Sequence, residues 1–72
     1  MSVPQSRVYP NPVSSQLYIT GVESGETVEI YSIVGTIVAT FTYNGDAVDV
    51  ENLPVGMYVI RCNGNIVKFV KE

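Results

Sequence analysis

The sequence contains no histidine, a single cysteine, and only four basic residues against seven acidic ones. Each scarcity removes a class of function. Without histidine there is neither the usual general base near neutral pH nor the commonest transition-metal ligand. No Ser/His/Asp or Cys/His set can be assembled, and the chain carries no CxxC pair, GxGxxG fingerprint or P-loop. With Cys62 alone, no disulfide can form within the domain. Its setting, VIRCN, reads as a strand in which cysteine serves as a small buried hydrophobe. Arg7, Arg61, Lys68 and Lys71 are too few and too scattered to make the basic stripe that nucleic-acid binding needs. No stretch approaches the roughly 20 consecutive apolar residues of a membrane helix. The opening MSVPQSRVYPNP lacks the apolar centre of a signal peptide. The chain is expected to be either cytoplasmic or a piece of a larger secreted protein whose signal lies elsewhere.

Seventy-two residues make one small domain, and most of its 46% hydrophobic residues are needed as core. Little is left to wall a deep pocket. A self-contained enzyme is not expected, and no cofactor or metal is expected either.

What the chain has in abundance is period-two alternation, with no sustained 3.6-residue stripe. Leu17 and Ile19 alternate with Tyr18 and Thr20, and Val28 and Ile30 with Thr27, Glu29 and Tyr31. Ile37, Ala39 and Phe41 form a third set, Val48 and Val50 a fourth, Tyr58, Ile60 and Cys62 a fifth, Val67 and Phe69 a sixth. One core face and one wetter face per run is the mark of antiparallel sheets. Asn44-Gly45 and Asn63-Gly64 each read as a type I′ hairpin turn. Glu23–Glu26 is a polar turn, and Gly35 offers a positive φ. Leu53-Pro54-Val55-Gly56 is a longer connection that opens a strand at Met57. With Arg7–Tyr9 as a short edge strand, about seven strands follow one another at sandwich-like spacing. The expected fold is an all-β, immunoglobulin-like antiparallel β-sandwich.

The proline-flanked opening Val8-Tyr9-Pro10-Asn11-Pro12 is expected to be extended, its prolines denying pairing at a sheet edge. Asp46, Asp49 and Glu51 are the densest acids. Calcium needs six to eight oxygens, and positions 46 and 49 fall on opposite faces of a strand, so they read as solvated charges. Tyr18 and Tyr31 both lie opposite the core faces and could make a carbohydrate-stacking surface, although tyrosine is common on strands.

VYPNP at the start, TVEIYSIVGTIV near the middle, and NLPVGMYVIRC before a final KFVK occur in this order. The arrangement resembles the C-terminal sorting domain of type IX secretion cargo from certain Gram-negative bacteria, over about Val8 to Glu72. The resemblance implies that residues 8–72 are a secretion signal and residues 1–7 a linker or expression remnant. Cargo and signal peptide would then lie upstream, and any cleavage site upstream or in the linker Ser2–Arg7. Partners implied are the type IX outer-membrane translocon, a sortase-like peptidase that removes the domain, and an N-terminal cargo domain absent from this chain. The route implied is through the periplasm to the outer membrane, with the cargo secreted or surface-attached.

The family's marks fall on Pro10, Asn11 and Pro12; on Leu53, Pro54, Gly56 and Tyr58; and on Lys68, Phe69, Val70 and Lys71. Many members end on lysine, whereas Glu72 follows Lys71 here. Beside these implications, Gly56 and Tyr58 read as folding residues and the two lysines as solubilisers of a terminal strand. A receptor is expected to pair with the free edge of that strand. The alternative function is an adhesion or carbohydrate-binding module of a secreted enzyme. A monomer is expected.

Overall fold

The computed structural model describes residues 6–72. Seven strands form: β1 (Arg7–Tyr9), β2 (Gln16–Thr20), β3 (Thr27–Ser32), β4 (Ile37–Thr42), β5 (Val48–Asp49), β6 (Gly56–Cys62) and β7 (Asn65–Lys71). They build two antiparallel sheets, ordered β1-β2-β5 and β4-β3-β6-β7. The all-β sandwich expected from the alternation is the fold observed. Of the linker assigned to residues 1–7, the first five lie outside the described residues. Ser6 is buried and Arg7 opens β1.

The core is the sum of the alternating sets. Leu17 and Ile19 from one sheet meet Val28, Ile30, Tyr58, Ile60, Cys62 and Phe69 from the other, and Val48, from the edge strand β5, and Val50 belong to the same cluster. Side chains one apart on a strand point to opposite faces, so the intervening residues face outward. The third set is split by a register shift between Ile30 and Tyr31. Ala39 and Phe41 stay half-buried on the core, but Ile37 turns out to 51% exposure.

The two Asn-Gly turns part company. Asn63 and Gly64 both have positive φ, 47° and 78°, and close the β6–β7 hairpin with Cys62 opposite Asn65. Asn44-Gly45 makes no hairpin, because β4 pairs with β3 and β5 pairs with β2 in the other sheet. Here the Asn44 Oδ1 accepts the Asp46 N–H at 3.0 Å, a local side-chain turn that carries the chain across the sandwich.

Candidate functional site

The opening VYPNP is not extended throughout. Tyr9 ends β1, where it pairs with Tyr18, and residues 10–12 bend, with both X–Pro peptide bonds cis. Pro10 and Pro12 have no N–H with which to continue a ladder, and beyond them Val13 is drawn into the core, 1% exposed. That burial carries the segment from one sheet to the outer edge of β7 in the other. There the Asn11 Oδ1 accepts the Val70 N–H at 2.9 Å, and Asn11 Nδ2 donates to the Lys68 carbonyl at 3.5 Å. Val13 N–H then donates to the Val70 carbonyl at 2.8 Å, and the Val13 carbonyl accepts the Glu72 N–H at 2.9 Å. A carboxamide offers one acceptor and an N–H donor side by side, as a peptide unit does. One side chain and one residue of backbone thus stand in for a neighbouring strand. The β7 edge expected to await a receptor is covered from Lys68 to Glu72.

The middle mark meets the same strand from its other side. In the β6–β7 ladder Gly56 lies opposite Lys71, Tyr58 opposite Phe69 and Val59 opposite Lys68. The Tyr58 and Phe69 rings stack with centroids 5.4 Å apart, and both residues are buried, as expected of Tyr58 from its alternation. The Tyr58 hydroxyl donates to the Pro54 carbonyl, which ties the Leu53–Val55 connection to the start of β6. Gly56 has φ 156°, a backbone region that side chains disfavour. A Cβ there would meet no atom within 4 Å, so the need for glycine lies in the backbone and not in crowding.

The lysines differ from one another. Lys68 is exposed, in keeping with a solubilising residue. Lys71 shares its face with Phe69 and is 6% exposed, its Nζ 3.2 Å from the backbone oxygen of Glu72. Three residues apart on a strand means opposite faces, so the solubilising reading does not hold for Lys71.

Pro10–Pro12, Gly56–Tyr58 and Lys68–Lys71 are therefore brought together around β7, with Pro54 tied in through Tyr58, whereas Leu53 lines a cleft on the β4 side of the sheet. Val13 completes that grouping and was not among the residues singled out in the sequence. Its only signal was an apolar side chain directly after the second proline.

The other candidates disperse. Tyr18 lies on the outer face of one sheet, stacked on Tyr9 at 5.3 Å. Tyr31 pairs with Val59 on the outer face of the other, so no common aromatic platform forms. Asp46 precedes the two-residue β5 instead of lying within a strand, and with Asp49 it lines a single cleft. Cys62 is 1% exposed with its Sγ 3.5 Å from the Ser6 hydroxyl.

The family model described as the secretion system C-terminal sorting domain matches residues 7–72. The chain belongs to that family. Comparison with curated proteins and with solved structures gave no match. The match spans every strand and all three marks, so this is a sorting domain of type IX secretion cargo. The hydrogen bonds around β7 in this sorting domain are of the kind that hold strands together.

Proposed function

We propose that this sorting domain directs a cargo joined to its N-terminal side through the type IX outer-membrane translocon, acting as a folded, non-catalytic unit. A sortase-like peptidase then cuts ahead of Arg7 and frees the cargo, which is secreted or attached at the cell surface. Transit through the periplasm precedes both steps. The observation that carries this reading is the tie between Asn11 and Val70. Marks from the two ends of the sequence become neighbours only once the sandwich has formed, so a receptor that reads them together reads a fold.

The test is a periplasmic reporter fused ahead of the domain in a type IX-competent cell. Export of the reporter is expected, with a released fragment whose N-terminus, read by mass spectrometry, lies at or before Arg7. Ile60→Asp keeps every mark but places a charge at a position with no solvent exposure; export should be lost with it. A reporter that stays in the periplasm with the unaltered domain overturns the reading.

A further inference from the structure

A sandwich of two open sheets has four edges, and this one treats them unequally. β5 is two residues long, β1 is three and carries Arg7, and β7 is covered by Asn11 and Val13. Short strands, charges and coverage are the usual ways of blunting an edge. β4 has none of them. Its six residues, Ile37-Val-Ala-Thr-Phe-Thr42, include no charge, proline or glycine, and among the described residues no strand pairs with its outer side.

At the end of the hairpin Tyr43 N–H donates to the Glu26 carbonyl. Alternation along an antiparallel ladder then aims the backbone groups of Thr40 away from β3. Beside this edge, between the sheets, opens a cleft of 380 Å³ whose walls include Ala39, Phe41, Val48 and Leu53. Asp46 and Asp49 also line it, and no lysine or arginine does. On the outer face Glu29 sits directly across from Thr40. Both sides of the edge are therefore acidic, and the four basic residues are on β1, β6 and β7. A second copy paired through β4 would bring a second set of acids to the same seam, so charge complementarity favours a basic segment over self-pairing.

We propose that the outer edge of β4 is the docking strand for an extended segment of the export machinery that carries lysine or arginine beside apolar residues. Main-chain bonds to the edge supply affinity, and the apolar cleft with its aspartates selects the side chains. This rests on the sorting function proposed above, and it moves strand addition from the covered β7 to the open β4.

The experiment uses the same reporter fusion with three variants, each checked for folding by circular dichroism and urea unfolding. Thr40→Pro removes an outward N–H, Thr40→Lys puts a charge on the edge, and Asp46→Lys with Asp49→Asn reverses the charge of the cleft. Asn at 49 keeps an acceptor for the Glu51 N–H, which Asp49 now bonds at 3.0 Å. Expected is export of the unaltered fusion and a loss of at least tenfold in each folded variant. Should Thr40→Pro not fold, Thr40→Lys and the charge variant decide. Export of the folded variants at the level of the unaltered domain overturns the proposal. Failure of the unaltered fusion to export instead overturns the sorting reading beneath it. Sedimentation of the purified domain is expected to show a monomer. A dimer broken by Thr40→Lys would make the occupant a second copy and overturn the assignment.

Discussion

Asn11 accepts the backbone N–H of Val70 at 2.9 Å, across 59 positions of sequence. The bond links the lead-in to the last strand, and with Val13 it supplies the pairing that β7 finds on that side between Lys68 and Glu72. Asn11→Ala removes both side-chain bonds at an exposed site, and a loss of about 1 kcal/mol is expected. Asn11→Asp keeps the acceptor for Val70 but turns an oxygen toward the Lys68 carbonyl. It should be no better than alanine. Urea unfolding of the two variants measures this, and amide exchange at Val70 should rise in Asn11→Ala. Unchanged exchange would mean that the bond does not protect the edge.

Tyr58 joins the middle mark to the same strand through its ring and its hydroxyl. Tyr58→Phe keeps the stack on Phe69 and loses the bond to Pro54, which should cost about 1 kcal/mol. Tyr58→Ala empties a buried aromatic site, at a cost of about 3–5 kcal/mol. Small domains have stabilities on the order of 5 kcal/mol, so the alanine variant should be largely unfolded by urea concentrations that the phenylalanine variant survives.

Gly56→Ala should destabilise by about 1–3 kcal/mol, the range for a side chain held in a sparsely populated backbone region. The site has room for the methyl group. Gly56→Ala and Gly56→Ser should therefore lose similar amounts despite their different volumes, and a cost that grows with volume would point to crowding instead.

Much of this arrangement was legible in the sequence because alternation is a direct record of burial. Leu17, Ile19, Val28, Ile30, Tyr58, Ile60 and Phe69 all lie on the faces that their spacing assigns. The features that escaped depend on pairing across sequence distance. Nothing local to Asn44-Gly45 tells that the strands flanking it belong to different sheets, and nothing local to Ile37 tells of the shift opposite Ile30 and Tyr31. The covered edge was hidden for the same reason. Asn11 looks like a turn residue until β7 is laid beside it. The marks at Pro10–Pro12 and Lys68–Lys71 are visible in the sequence, but their contact with each other is not.

Cys62 has its thiol within 3.5 Å of the Ser6 hydroxyl and almost no exposure. A maleimide probe should label it slowly in the folded domain and rapidly in urea, with the native rate following global unfolding. Cys62→Ala should lose about 1 kcal/mol or somewhat more, from a small buried side chain of largely apolar character. Fast labelling of the folded domain would show that the β1–β7 side opens locally.

Lys71 separates folding from recognition. A buried ammonium is costly to desolvate, and the Lys71 Nζ donates to the backbone oxygen of Glu72. Lys71→Met keeps the aliphatic stem and removes the charge, so the folded domain should be as stable as the parent or about 1 kcal/mol more so. If the lysine serves the export machinery, the reporter fusion bearing Lys71→Met will be retained although the domain is folded. Lys68→Met alters an exposed position and should leave stability within about 0.5 kcal/mol of the parent. Unfolding curves and export measured on both variants therefore give four values. Loss of stability in Lys71→Met would show that the charge contributes to the fold, and retention of export in that variant would remove the buried lysine from the signal.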